Sequence, residues 1–498
     1  MLKILSTSQI KELDDYTIKH EPIASIDLME RACHAFVSWF TRHVEVTKKI
    51  GVVCGTGNNG GDGLGIARLL NEWSYPLKVW IVRGTVHESP DFKLNLDRLK
   101  GKVDISEIAT ESDQDLFKDR DVLIDAIFGS GLSRPAEGIY AHAIRSINNT
   151  GALRFSVDIP SGLMADKPSS GEIVMAHETI TFQLPKLSFL LPETHAFVGD
   201  WHVVDIGLNK EYIEKAETRY YLLEKGDIQE ILHPRPKFQH KGNFGHGLLI
   251  CGSYGKMGAA ILSARAAMRS GLGLLTVHIP KCGYEIIQTS IPEAMVSIDE
   301  SEFIFSSVPE TKYFNTIGIG PGIGQDNQTV KAFTRLLESL DNPVVLDADA
   351  LNILGSHREL LHLVPKGSIL TPHPKEFERL AGSWSTDFER IDKQMEFSRR
   401  TNTVVLLKGA HSSIATPEGM VCFNNTGNPG MATGGSGDVL TGLITGLLAQ
   451  GYNSSDSAIL GAWIHGLAGD QAANTLGEQP MIASDIIDHF SGAFSMFR

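Results

Sequence analysis

A short apolar run, then a loop of glycine with asparagine or aspartate, then a helical segment: this unit recurs along the chain and restricts its fold more than any other feature. The first instance is Ile50–Cys54, the loop Gly55-Thr56-Gly57-Asn58-Asn59-Gly60-Gly61-Asp62-Gly63, and a helix over Leu64–Glu72. Helices over Gln9–His20 and Ile26–Val37 precede it. Strands are expected at Leu77–Val82, Val122–Ala126, Phe155–Ile159, Ile180–Lys186 and Trp201–Ile206. Strands joined by helix-length crossovers lie parallel, and a parallel sheet needs both faces covered. The pattern therefore predicts a doubly wound α/β sheet whose strand-end loops converge on one crevice.

Around Asn209–Gly226 the chain becomes charged and tyrosine-rich, and His233–Gly247 is rich in proline, glycine and basic residues. A boundary belongs there, giving domains over 1–215 and 225–498, in keeping with 498 residues being too many for one core. The second half restarts the pattern. Strands Leu248–Cys251, Leu274–Ile279, Thr316–Gly320, Val344–Leu346, Ser368–Thr371 and Val404–Leu407 each feed a polar or glycine-rich loop or helix. The last loop, Gly434-Gly435-Ser436-Gly437-Asp438, opens onto the apolar run Val439–Ala449. Glycines let backbone N–H groups approach an anion, and a helix N-terminus adds its dipole. An aspartate at that point either caps the helix or stands beside a bound phosphoryl group as base or orienter.

Formal net charge is −14, with no dense Lys/Arg stripe, which disfavours nucleic acid or an anionic membrane as partner. Five cysteines are scattered without a CxxC pair, as in a reduced, cytoplasmic protein without a zinc site or disulfide framework. No apolar run approaches ~20 residues, so no membrane span is expected.

In the first half, three strand-end loops bring acidic or amide oxygens together with glycines: Asn58–Gly63, Asp125–Pro135 and Asp158–Gly162. Singly, Asp62, Asp125 and Asp158 read as caps or turn residues; together they read as a site for a phosphate-bearing ligand with a small oxygen-liganded cation. Lys186 ends a strand and faces either the crevice or solvent. In the second half, Lys408–Ser412 and Gly434–Gly437 would hold a nucleotide phosphate, with Asp438 beside its terminal phosphoryl group. No GxxxxGK[ST] loop is present, so this is not a P-loop enzyme. His373, between two prolines, is either a substrate contact or a surface turn residue. Asp347 and Asp349 are either Mg²⁺ carboxylates acting through water or ordinary caps.

In order, GTGNNGGDG, DAIFGSGL, VDIPSG, HKGNFG, IGPGIG, DADALN, LTPHPKE, LKGAHS and NPGMATGGSGDVLTG make the chain resemble the bifunctional NAD(P)H-hydrate repair enzymes along nearly its whole length. The resemblance implies an N-terminal Rossmann-like epimerase joined to a C-terminal ribokinase-like, ADP-dependent dehydratase. The substrates would be hydrated NADH and NADPH, with K⁺ in the epimerase, Mg²⁺ with ADP in the dehydratase, and a homo-oligomer (tetramer or higher). It further implies that Asn58, Asn59, Gly60, Gly61, Asp62, Gly129, Ser130, Gly131, Leu132, Ser133, Arg134, Pro135, Tyr140 and Asp158 contact the hydrate in the epimerase. Asn59, Asp125 and Ser161 would ligate K⁺. Ala259, Gly322, His373 and Asp438 would contact the hydrate in the dehydratase, and Lys408, Gly409, Ala410, His411, Ser412 and Gly437 would hold the adenine nucleotide. Asp438 and Asp158 would be the catalytic carboxyls. Cys33 departs from the pattern, standing where the family usually has glycine after its leucine-methionine-glutamate-arginine-alanine run; this bears on local helix packing. Two rival readings share some of these residues: a ribokinase-type small-molecule kinase, and an N-terminal half that serves only as a binding or scaffold module.

Overall fold

The computed structural model describes residues 1–84, 87–111 and 116–497. It divides into two compact units, one over Lys3–Thr218 and the other from Arg219 to the end of the described residues, together with Met1–Leu2.

In the first unit, α1 (Thr7–His20) and α2 (Ser25–His43) precede β1 (Ile50–Cys54). There follow α3 (Asn58–Glu72), β2 (Leu77–Val82), α4 (Pro90–Leu99), β3 (Asp104–Ile108) and β4 (Val122–Ala126). The unit continues with α5 (Gly138–Asn148), β5 (Leu153–Val157), β6 (Glu178–Phe182) and β7 (Asp200–Val204). The strands lie in the order β3-β2-β1-β4-β5-β6-β7, and every neighbouring pair is parallel. The order reverses between β1 and β4, which opens a crevice beyond their carboxyl ends. Every residue of β1 and β4 is buried, as expected of central strands with both faces covered. One face packs on Phe36 and Phe40 of α2, the latter meeting Phe155 edge-on at 5.1 Å; the other packs on Trp80, Phe117, Ile144 and Ile147.

The helix expected from Leu64 begins at Asn58, so the glycine-rich segment forms the first turns of α3 rather than a loop. Glycine is poor helix former, but here space decides. A Cβ on Gly60 would lie 1.9 Å from the Gly55 carbonyl oxygen, and one on Gly63 would lie 2.6 Å from Ala126 Cβ. Two other expectations shift. β6 ends at Phe182, leaving Lys186 beyond the strand, and β5 ends at Val157, leaving Asp158 in a left-handed turn at φ 66°. The polar strand β3 carries no apolar run and was not expected.

The second unit contains β8 (Tyr220–Leu222), β9 (His246–Ile250), α6 (Met257–Arg269), β10 (Leu274–Ile279), β11 (Met295–Ile298) and β12 (Thr316–Ile319). It continues with β13 (Val345–Leu346), α7 (Ala348–Ser356), β14 (Ile369–Leu370), α8 (Pro374–Ala381), α9 (Asp387–Thr401) and β15 (Val404–Leu407). Last come β16 (Ser413–Ala415), β17 (Val421–Phe423), α10 (Ser436–Ala449), α11 (Ser454–Leu476) and α12 (Ala483–Asp488). Its sheet runs β8-β17-β16-β15-β14-β13-β12-β9-β10-β11. From β11 to β15 all pairings are parallel; β16 turns back against β15, and β17 against β16.

Helix α10 is the buried spine of this unit, with all residues from Val439 to Leu447 inside. It lies directly on α6. A Cβ on Gly442 would stand 1.9 Å from the Ser263 carbonyl oxygen, and one on Gly446 would stand 2.0 Å from Ser270 Oγ. Small residues on both helices bring their backbones together, and Ser263 Oγ donates to the Asp438 carbonyl at 2.9 Å. Among the described residues no helix is long and apolar enough to cross a membrane.

Candidate active sites

In the first unit the site forms where α3, the turn after β4 and the turn after β5 meet. Asp125, at the end of β4, is fully buried. It accepts from Ser161 N–H at 2.8 Å, Ser161 Oγ at 2.5 Å, Ser156 Oγ at 2.9 Å and Ile127 N–H at 3.3 Å. Burial still raises its pKa despite these donors. Ser161 Oγ also receives the Phe128 N–H at 2.8 Å, and a Cβ on Gly129 would stand 3.5 Å from Asn59 Oδ1. Asn59, Asp125 and Ser161 are thus brought to one place. The buried Nδ2 of Asn59 has no partner among the described residues.

Asp158 faces the same crevice. Three donors reach its Oδ1: Phe182 N–H at 3.2 Å, Thr181 Oγ1 at 3.3 Å, and the ammonium of Lys186. Lys186 is 2% exposed, so of its two expected orientations it takes the inward one. Asp62 on α3 has its carboxyl held well above the usual range, first by burial and then by the charges of Asp158, Asp14 and Asp91. The loop carrying Gly129, Ser130, Gly131, Leu132, Ser133, Arg134 and Pro135 is largely surface, and Tyr140 lies against Phe128 with ring centroids 4.7 Å apart. Cys33, in place of the usual glycine, donates its buried thiol to the Asp62 carbonyl at 3.4 Å and so ties α2 to α3.

In the second unit the parts converge on the N-terminus of α10. Gly435 takes φ 93° and turns the chain into the helix. Lys408, just past β15, donates to Asp347 Oδ1 at 2.8 Å, and Thr441 Oγ1 on α10 donates to Asp347 Oδ2 at 2.6 Å. A Cβ on Gly437 would lie 3.3 Å from Lys408 Nζ. Burial works against the charged form of Lys408, but Asp347, Glu376 and Asp438 hold its pKa above the ordinary value. Asp438 is pushed up to about 6, first by burial and then by Asp347, with Lys408 acting in the opposite direction. A carboxyl poised there can take a hydroxyl proton near neutral pH.

Asp347 stands at the N-cap position of α7, but its carboxylate makes no capping bond and is given instead to Lys408 and Thr441. Asp349 accepts the Gly324 N–H at 2.8 Å and pairs with Lys256 at 3.3 Å. His373 caps α8: its Nδ1 accepts from Lys375 N–H at 3.1 Å and Glu376 N–H at 3.3 Å, while Nε2 lies 3.5 Å from Glu376 Oε1. Gly322, at φ 68°, lies against the start of α6, where an added Cβ would stand 3.2 Å from Ala259 Cβ. The turn Gly409, Ala410, His411, Ser412 closes on itself, with Gly409 N–H donating to Ser412 Oγ at 3.2 Å.

Two family profiles match the chain. One, described as NAD(P)H-hydrate dehydratase, covers residues 247–491; the other, described as YjeF-related protein N-terminus, covers residues 25–188. The bifunctional NAD(P)H-hydrate repair enzyme of Moorella thermoacetica is 35% identical over 504 residues, spanning 97% of this chain and 95% of its own. The chain belongs to the bifunctional NAD(P)H-hydrate repair enzyme family. Another repair enzyme, from Thermofilum pendens, is 32% identical over 100% of this chain and 97% of its own. A ribokinase-like superfamily protein from Enterococcus faecalis shares the second unit's fold, with TM-score 0.51 and 28% identity over 57% of this chain and 98% of that one.

For a member of this repair-enzyme family, three structural participants escaped the sequence reading. His465 on α11 hydrogen-bonds the Ser436 backbone beside the glycine turn; burial lowers its pKa to about 4, and its Nε2 has no partner among the described residues. A histidine among small and apolar residues of one helix was the available signal. Asp14 on α1 lies within electrostatic reach of Asp158 and Lys186. Nothing in its helix marks it, since its neighbours are ordinary amphipathic residues. The third is the lock of Asp347 by Lys408 and Thr441.

Proposed function

We propose that the chain repairs hydrated NADH and NADPH in two steps: the first unit interconverts the R and S hydrates, and the second dehydrates the S form at the expense of ADP, giving NAD(P)H, AMP and phosphate. The observation that carries this reading is Asp438, a carboxyl with a pKa of about 6 at the glycine-lined start of α10, beside the Lys408–Asp347 pair. The hydrate bears a hydroxyl on the carbon next to the ring nitrogen. Hydroxide leaves poorly and phosphate leaves well. Asp438 takes the hydroxyl proton as that oxygen attacks the terminal phosphorus of ADP. The ring nitrogen's lone pair then expels phosphate, and loss of a proton from the adjacent ring carbon to solvent restores the ring double bond of NAD(P)H.

Lys408, Gly409, Ala410, His411, Ser412 and Gly437 hold the nucleotide in this reading, and Ala259, Gly322 and His373 border the hydrate. Mg²⁺, a small cation that keeps several waters, would travel with the ADP phosphates and offset their charge. In the first unit Asn58–Asp62, Gly129–Pro135, Tyr140 and Asp158 border the hydrate. Asn59, Asp125 and Ser161 would hold K⁺: all are oxygen donors, and Asp125 is a buried carboxylate with no cationic side chain among the groups that shift it. The cation would supply the missing positive charge next to the substrate.

The deciding assay is depletion of R and S hydrates with ADP or ATP present. Free phosphate together with restored absorbance of reduced nicotinamide supports dehydration; a stable phosphoester would instead make the second unit a ribokinase-type kinase. Interconversion of the hydrates without nucleotide tests the first unit as an enzyme rather than a scaffold.

A further inference from the structure

We propose that Asp14 on helix α1 is a second acid/base group of the epimerase site, the one that protonates the departing hydroxyl of the hydrate. This rests on the epimerase reading given above. Helix α1 lies outside the segment matched by the N-terminal family profile, yet it is hydrogen-bonded to the chain that follows the last strand of the first unit. Asn209 N–H donates to Thr17 Oγ1 at 3.0 Å, three residues and so about one turn from Asp14. The neighbouring Ile206 and Leu208 N–H groups donate to Gln183 Oε1 at 3.1 and 3.2 Å, just past β6 and before Lys186. These ties set α1 against the chain segment that supplies Lys186.

The Asp14 carboxyl has no hydrogen bond or ion pair among the described residues, although it lies within electrostatic reach of Asp158, Lys186 and Asp62. All three donors to Asp158 use Oδ1, so Oδ2 is left for the crevice. The charges acting on Asp14 are Asp158, Lys186 and the neighbouring Asp15, and those acting on Asp62 are Asp158, Asp14 and Asp91. One ammonium cannot balance so many carboxylates. Lys186 is bound to Asp158, and Asp14 carries the cost: burial first, then the Asp158 charge, raise its pKa to about 7. Asp158 is held by the Lys186 ammonium while the Asp14 carboxyl has no such partner among the described residues, an asymmetry that suits an acid/base pair.

The step balances without any redox partner. The C–O bond breaks with its electrons going to oxygen, which takes the Asp14 proton and leaves as water. The ring nitrogen's lone pair forms C=N⁺, which faces the anionic Asp158. Water adds to the opposite face, its surplus proton passes to Asp158, and transfer to Asp14 resets the pair.

The test follows conversion of the R hydrate to the S hydrate by the full chain without ADP, in ¹⁸O-water. Wild-type product should carry ¹⁸O in its hydroxyl, and kcat/KM should fall as pH rises through about 7. Asp14→Asn should lower kcat by about 10²–10³-fold with KM within about threefold, and should lose that basic limb. Asp14→Glu should restore part of the rate and a shifted limb. Dehydration of the S hydrate with ADP in the same samples reports an intact second unit, and the melting curve reports the first. An Asn variant with wild-type rate, an unchanged basic limb in Asp14→Glu, or inversion without ¹⁸O would each overturn the proposal. A wild-type chain that dehydrates the S hydrate but never interconverts the two would instead sink the epimerase reading itself.

Discussion

Lys408 and Asp347 form an ion pair at 2.8 Å in which the carboxylate is 1% exposed and the lysine 24%. The lysine expected to meet a phosphate is therefore already half of a buried pair, held in place before any nucleotide arrives. Removing one partner strands the other. Lys408→Met should destabilise the second unit by about 3 kcal/mol, the low end for a broken buried pair because the lysine is partly exposed and Thr441 still serves Asp347. Lys408→Met combined with Asp347→Asn should recover most of the melting temperature but not the ADP-dependent dehydration. Additive losses in the double variant would contradict this coupling.

Asp438 should trade stability for chemistry. Its folded pKa of about 6 lies above the ordinary aspartate value, so the folded state binds a proton more readily than the unfolded one. The stability this group contributes is present at low pH and is lost as pH rises towards and through about 6. Asp438→Asn should therefore melt higher than wild type at pH 7.5 (~neutral working pH), while S-hydrate dehydration falls by about 10²-fold or more. In the wild type, dehydration should weaken as pH drops through about 6, when the base becomes protonated. A pH-independent melting difference would argue against this origin.

The contact of α10 on α6 sets a limit on side-chain size. At Gly442 an added methyl meets the Ser263 carbonyl oxygen at 1.9 Å, backbone that cannot swing away. Gly442→Ala should cost about 1–3 kcal/mol through overpacking, read from denaturant midpoints. At Gly409 nothing lies within 4 Å of an added Cβ. Gly409→Ala should leave the midpoint unchanged and so serves as the control.

Potassium should stabilise the first unit. Asp125 is buried with hydrogen-bond donors but no cationic partner among the described residues. Replacing K⁺ by Li⁺ at constant ionic strength should lower the melting temperature of that unit, as expected when a ligand of the folded state alone is removed. In Asp125→Asn the two salts should give the same melting temperature. Equal melting in the wild type would exclude the cation from this place.

The parallel strands were legible because each of the following is a short, mostly apolar run between polar or glycine-rich stretches. Ile50–Cys54, Leu77–Val82, Val122–Ala126, Leu274–Ile279 and Val404–Leu407 lie where the sequence placed them. β3 was hidden because an edge strand with Asp104 and Glu107 exposed has no such run. The start of α3 was hidden because glycine's low helix propensity argued against what close packing on β1 and β4 demands. At the sites, loop residues were visible as motifs. Lys186, Asp347 and His465 were visible only as residues, because their roles depend on partners far along the chain, such as Asp158 and Lys408.

The tie between Thr17 and Asn209 has a practical consequence. A recombinant fragment cut at residue 25, where the N-terminal profile begins, would keep every recognisable motif of the first unit. It would nonetheless expose the face that α1 covers and lose the Asp14 carboxyl. The smallest excisable first unit is therefore bounded by that hydrogen bond at both ends rather than by the span of the N-terminal family profile, and residues before residue 25 count as part of the working unit.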